Sequence, residues 1–352
     1  MSANANMLIL AREARGLTQR ELAEKLAVKQ GTISKMEAGL LPPSNETIGR
    51  YSEALRFPAD FFCQTDHVFG FNATVFFHRK RQALPDRTLR RLHACMNLAR
   101  MRISRLLRSA SISCEQGFRT LETAEYEGPE EIAKLVRSMW MIPSGPIKSV
   151  TEVIENAGGI VVRLDFGTRQ IDAISEWVPG HPPIFIVNSN TDVTGDRLRL
   201  TLAHELAHIL MHRFPDPEME HEANQFAAEF LMPRRMVKAS LYSLNLAKLA
   251  QLKRIWKVSM AALVQRAYDL RTITETQRRY LFMNFSKRGY RTREPVETDV
   301  AIEQPETLKV LINAHVNELG FSSRELMQML FFVDECEFQS EFLRGGALRL
   351  VG

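Results

Sequence analysis

Apolar residues recur at helical spacing along most of the chain. Between Asp196 and His212 a stripe of Leu198, Leu202, Leu206, Ile209 and Leu210 predicts a largely packed helix. After a Pro-rich turn at 214–217, Ala223, Phe226, Ala227 and Phe230 repeat the i, i+3, i+4, i+7 pattern of a second one. Pro85–Ser109 reads as a long helix with Leu89, Leu92, Met96, Ala99, Ile103, Leu106 and Leu107 on one face, its arginine-rich opposite face solvated or turned to nucleic acid. Shorter helices are predicted at Glu130–Trp140, Ile147–Asn156, Met236–Leu246, Leu249–Trp256 and Ser259–Asp269, and three more after the basic linker Arg288–Pro295. Strand patterns are sparse: Val68–Lys80, Ile160–Asp165, Ile171–Val178 and Pro183–Asn188. The last three precede the 196–212 helix and predict a small antiparallel sheet, so the class is α+β, predominantly α.

The first sixty residues form a distinct helical pattern. Thr18-Gln-Arg-Glu21 is a capping box that opens a helix with Leu22, Ala23 and Leu26 inward. A short turn leads to Gln30–Glu37, with Ile33 and Met36 inward and Gly39 where a C-terminal cap prefers glycine. Two short helices joined by a tight turn, the second polar outside, match the helix-turn-helix that enters the DNA major groove. In the tail, Gly320-Phe-Ser-Ser-Arg-Glu-Leu326 parallels Gly16-Leu-Thr-Gln-Arg-Glu-Leu22; a glycine stop before a capping box makes this a helical hairpin, suited to dimerisation or partner docking.

Composition adds limits. With 45% hydrophobic and 25% charged residues the chain is an ordinary globular one, long enough for two or three domains. No apolar run reaches membrane-span length and no signal-peptide pattern opens the chain, so a cytoplasmic location without membrane partners is expected. Cys63, Cys95, Cys114 and Cys336 are scattered and read as free thiols. Charge is segregated. Residues 76–110 hold ten Arg and Lys against Asp86 alone, a net of +9, whereas residues 297–342 hold ten acids against Lys309 and Arg324, a net of −8. The basic stretch therefore either follows phosphates or docks on the acidic tail.

The chemistry concentrates in His204-Glu205-Leu206-Ala207-His208. Four residues apart on a helix, His204 and His208 can offer two imidazoles to one metal ion, and Glu205, one step round, can accept a proton from an activated water. Zinc in a hydrolase needs a third protein ligand. Glu220 and His221 are nearby alternatives, but Glu222, in register with Phe226 and Phe230, is the carboxylate expected to complete the set, because a carboxylate aimed at a core needs a partner. His212 reads as a helix-terminal histidine near the carbonyl ends.

Residues 199–212 and 222–233 together closely resemble the ImmA/IrrE metallo-endopeptidase family, over roughly residues 150–270. That resemblance implies a zincin-like fold, Zn²⁺ on His204, His208 and Glu222, and Glu205 as catalytic base; Ala207 stands where glycine is common. Gly16–Ala23, Ile33–Gly39 and Pro43 resemble the Xre/Cro-like repressor family over residues 5–62. There the implied DNA contacts are Gln19 to phosphate and Lys29, Gln30, Gly31, Thr32 and Lys35 on the reading helix, with Arg12 and Glu37 as a structural ion pair. Gly31 has no side chain to read with, and Ala27 occupies a turn position where glycine is common.

The expected organisation is a DNA-binding domain at 1–66, a connecting region at 67–145, a metallopeptidase domain with a helical subdomain at 146–290, and an acidic helical region at 296–352. The expected function is a transcriptional regulator that binds operator DNA as a homodimer and cleaves a protein substrate such as a repressor after a signal. The alternative is a regulator or antitoxin-like binder whose peptidase-like domain is a non-proteolytic sensor or scaffold.

Overall fold

The computed structural model describes residues 3–70, 84–110, 117–190 and 193–342. Most of the expected strand Val68–Lys80, with Arg79, Lys80 and Arg81, lies outside them, as does Cys114.

The chain opens with α1 (Ala5–Ala14), α2 (Gln19–Lys25), α3 (Gln30–Glu37) and α4 (Asn45–Leu55). Side chains of Asn4, Thr18 and Ser44 cap three of these, and Thr18 with Glu21 forms the reciprocal box. Leu8, Leu22, Ile33, Tyr51, Phe61 and Phe62 close the core between them. Ala27 takes a left-handed conformation (φ 47°) in the α2–α3 turn, which explains the preference for glycine there.

Helix α5 (Asp86–Ser109) belongs to two cores at once. Ala94, Leu98 and Met101 pack into the N-terminal helical core, while Leu89, Leu92, Met96, Ala99, Ile103 and Leu106 pack on the sheet. Its arginines are not a free basic face. Arg100, Arg102 and Arg105 are buried, paired with Glu176, Glu341 and Asp66. Arg90 meets Glu13 at 3.4 Å and Arg87 meets Glu21 at 3.1 Å. The expectation that the whole arginine face is solvated or turned to DNA is thus corrected for Arg100, Arg102 and Arg105: these desolvated guanidiniums must be paired, and each of the three finds its carboxylate within the chain.

Helices α6 (Pro129–Met139) and α7 (Val150–Asn156) lead to β1 (Ile160–Leu164), β2 (Ala173–Glu176) and β3 (Ile184–Asn188). The sheet order is β1-β3-β2, with β1 parallel and β2 antiparallel to β3. It is mixed, not antiparallel as expected. Ile184-Phe-Ile-Val-Asn188 is buried throughout, a run suited to a central strand, so β3 inserts between the two earlier strands. Val161, Phe185 and Val187 face one core with α8 (Gly195–Met211) and α9 (Met219–Leu231), whereas Ile160, Val162, Ile184 and Ile186 face α5.

Helices α10 (Arg234–Val237), α11 (Leu246–Trp256), α12 (Met260–Asp269) and α13 (Glu275–Lys287) extend the first core. The chain then returns across the molecule. The backbone N–H of Gly195 donates to Val300 at 3.1 Å, and a Cβ at Gly195 would overlap the carbonyls of Val300 and Ala301. Buried Arg199 pairs with Glu303 and donates to the Ile147 and Lys148 carbonyls, and buried Lys253 holds Asp196 and Glu294. Helices α14 (Thr307–Asn317), α15 (Ser323–Met329) and α16 (Glu335–Phe342) finish on the sheet's second face, beside α5. Ser322 and Glu325 form the capping box that the Gly320 echo predicts.

Candidate metal centre and nucleic-acid interface

Leu198, Leu202 and Leu206 bury α8 in the first core, which turns His204 and His208 toward α9 on successive turns. Their Nε2 atoms are 3.0 Å apart. Glu220, at the start of α9, brings its carboxylate to 3.7 Å from His204 Nε2 and 3.4 Å from His208 Nε2. Zinc bonds of about 2.0–2.1 Å in a tetrahedron give ligand–ligand edges of about 3.3 Å, so these separations fit one ion.

Outer hydrogen bonds orient the imidazoles. His204 Nδ1 lies 3.2 Å from Asn224 Oδ1, and the Asn224 amide donates to the Glu220 carbonyl at 2.7 Å. His208 Nδ1 is hydrogen-bonded to His212 Nδ1 at 2.9 Å, and His212 Nε2 to Glu222 at 2.9 Å. Both ligand rings therefore have their Nδ1 engaged and their Nε2 turned inward, the usual support of a metal-binding histidine. Burial and the neighbouring His208 lower the His212 pKa against the opposing pull of Glu222.

The expected third ligand, Glu222, is corrected here: Glu220 joins the imidazoles and Glu222 sits behind them on His212. On α9, Glu220 precedes fully buried Ala223 and Ala227 by three and seven residues, and those small side chains let the helix approach α8 closely. Glu222 is two residues on, roughly 200° round the helix. The run of alanines was the signal available in the sequence; the larger phenylalanines drew the expectation to the wrong carboxylate. His212 is the C-cap of α8, yet it also bridges His208 to Glu222, a role that its terminal position did not suggest.

Glu205 is almost fully buried and accepts a hydrogen bond from the Ser175 hydroxyl of β2 at 2.7 Å. Among the described residues β2 is a terminal strand of the sheet, so the carboxylate is held by a side chain of an end strand.

At the other end of the molecule, Arg12 forms a fork-like pair with Glu37, 2.6 Å from Nε and 2.9 Å from Nη2, and joins α1 to α3. Gln19 donates to Glu37 at 2.9 Å and accepts from Gln30 at 2.8 Å, which fixes the start of α2 against the start of α3. Lys29, Gln30, Gly31 and Lys35 are exposed on α3, and Thr32 is half-buried.

A buried scaffold, a histidine–carboxylate cluster beside a third acidic group, and an outward-facing second helix define a two-part chain: one part built to meet DNA, one built like a metallopeptidase. Comparison with known families agrees. Residues 8–62 match the helix-turn-helix family, and residues 155–268 match the peptidase family described as the IrrE N-terminal-like domain. The chain thus carries an Xre-type helix-turn-helix domain at its N-terminus and an IrrE N-terminal-like domain after it. No curated protein matches the chain. Among the described residues no helix is long and apolar enough to cross a membrane.

Proposed function

We propose that this protein is a DNA-binding transcriptional regulator carrying a zinc-dependent endopeptidase that acts on a regulatory protein such as a repressor. The observation that carries the reading is the convergence of His204 Nε2, His208 Nε2 and the Glu220 carboxylate, with Glu205 alongside. His204, His208 and Glu220 would hold the ion. The chemistry that zinc supplies at such a site is a water of lowered pKa and a polarised carbonyl. Glu205 accepts the proton of the attacking water and returns it to the leaving amine. The Ser175 hydroxyl fixes the Glu205 carboxylate, and Asn224 and His212 fix the two imidazoles. An extended peptide would bind along β2 by strand addition, its scissile bond over the histidine pair.

The DNA-binding unit is assigned to 1–66, the connecting region to 67–145, the peptidase unit to 146–290 and the acidic helical region to 296–352. Lys29, Gln30, Thr32 and Lys35 meet base edges, with the Gly31 backbone close by, and Gln19 meets phosphate. Through Phe62 the domain has eight Arg and Lys against seven Asp and Glu, so a single copy gains little from phosphate neutralisation, and a homodimer is the proposed binding form.

The test is metal content paired with proteolysis. Glu220→Gln should lose most of its zinc and Glu222→Gln should keep it. Glu205→Gln should keep zinc but lose about 10²–10⁴-fold in cleavage rate, the weight of a general base. Full activity of Glu205→Gln in every phenotype would leave the domain as a non-proteolytic sensor.

A further inference from the structure

A cavity of about 380 Å³ lies where all parts of the chain meet, and it shares no residue with the metal centre. Its walls come from the DNA-binding domain (Ala14, Arg15, Phe57), from α5 (Arg91, Leu98, Arg102), from the sheet and its loops (Arg163, Asp165, Asn190), and from α16 (Glu337, Glu341). The volume is that of a small-molecule site.

The charges on these walls do not cancel. Arg15 is held by Glu337 at 2.7 Å and Arg102 by Glu341 at 2.6 Å. The Asp165 carboxylate accepts from the Gly167 backbone N–H at 2.6 Å. Arg163 donates to Gln304 at 3.3 Å. Arg91 reaches only the Asp165 carbonyl, at 3.4 Å, and its Nε is buried without a hydrogen-bond partner among the described residues. Arg15 and Arg102 each have a carboxylate partner, whereas no carboxylate among the described residues lies within ion-pair distance of Arg91. Its side chain is held in a narrow passage: its stem lies near Gly16, and any Cβ at Gly167 would overlap its guanidinium. Gly167, at φ +66°, is the residue type that allows both the turn and the approach. Ala14, Phe57, Leu98 and Leu164 supply the apolar remainder.

We propose that this cavity binds a small organic anion, a carboxylate or phosphate ester, with its charged group on Arg91 and its body against Phe57 and Leu98. A charge-assisted bond to a guanidinium in such a recess supplies affinity and orientation. Because the walls belong to separate parts of the chain, occupancy favours the arrangement in which they are closed around the ligand. The inference does not depend on the metal centre.

The experiment is a thermal-shift and calorimetric titration of the full-length chain with succinate, glycerol 3-phosphate and inorganic phosphate, at constant ionic strength set with chloride. At least one probe should bind saturably to the wild type, and which one binds separates a carboxylate, an organic phosphate and free phosphate. Arg91→Gln should weaken that binding about tenfold or more, the worth of one charge-assisted hydrogen bond. Asn190→Trp, on the exposed rim, should weaken it without touching a core residue, so the proposal stays testable should Arg91→Gln fold poorly. Saturable binding unchanged in both variants, or none of the three probes binding the wild type, overturns the proposal.

Discussion

Replacing Arg102 by alanine distinguishes a helix docked within the chain from one that tracks DNA. The Arg102 guanidinium lies 2.6 Å from both Glu341 oxygens, donates to the Leu330 carbonyl at 3.1 Å, and sits 3.8 Å over the Phe332 ring. Both side chains are under a tenth exposed, so solvent screens the pair little. Removing one member of such a pair strands the other and costs about 3–5 kcal/mol. At about 2–4 °C per kcal/mol for a cooperative unit of a few hundred residues, the melting temperature should fall by roughly 6–20 °C. The loss has a pH signature. Burial raises the Glu341 pKa and Arg102 opposes that rise, so the variant's Glu341 moves further up. A carboxyl whose folded pKa is raised gains stability as pH falls through it, so the deficit should shrink on acidification. Arg102→Met with Glu341→Leu should recover most of the stability, since apolar replacement of a buried pair is often neutral. The assays are calorimetric melting between pH 5 and 8 and DNA binding at several salt concentrations. An unchanged melting temperature with a shallower salt slope would refute the docked arrangement and put Arg102 on a phosphate.

Gly195→Ala should cost about 1–3 kcal/mol by urea denaturation, because its Cβ must displace the Val300 and Ala301 carbonyls from the start of α8. Burial lowers the His93 pKa although Nε2 bonds the Phe69 carbonyl. The unfolded chain binds that proton first, so stability should fall as pH drops below about 6.5, by at most about 1.4 kcal/mol per pH unit, and His93→Gln should flatten that limb of the melting curve. Lys35→Ala and Gln30→Ala should each lose about 1–3 kcal/mol of preference for selected operator sequences over random DNA, with little change in salt slope. Equal weakening on all sequences would move them from base reading to backbone contact.

What the sequence discloses and what it hides have different physical origins. Helix α8 was legible to within one residue at each end, because five leucine and isoleucine side chains mark its buried stripe. The Thr18 and Ser322 capping boxes were legible because they are purely local hydrogen-bond patterns. The third carboxylate was not, since Glu220 and Glu222 differ only in which side of α9 approaches α8, a fact of tertiary packing. Strand order was hidden for the same reason: period-two alternation reports a buried face, not a neighbour. The segregated charge was visible as totals and misleading as pairing. Of the described α5 arginines, Arg102 pairs with the acidic tail, while Glu337 and Asp334 of that tail hold Arg15 and Arg56 of the DNA-binding domain. A charge run names a sign; only the fold names the partner.

Strand β2 links the two halves by alternation alone. Ser175 points to one face and holds Glu205 of α8, while the next residue, Glu176, points to the other and is paired with Arg100 of α5. Both carboxylates and Arg100 are buried, so neither contact can be traded for water without a desolvated charge left behind. Helix α5 in turn gives Ala94, Leu98 and Met101 to the core behind the DNA-binding helices. Close-packed interiors transmit such displacements because they leave no slack to absorb them. A shift of β2, such as the proposed strand addition would bring, would therefore either break the Arg100–Glu176 pair or carry α5 with it. Moving α5 disturbs a core in which each large side chain contributes roughly 1.5–3 kcal/mol. Helix α5 is thus common to both cores, so the histidine cluster and the N-terminal helices are joined through one packed element.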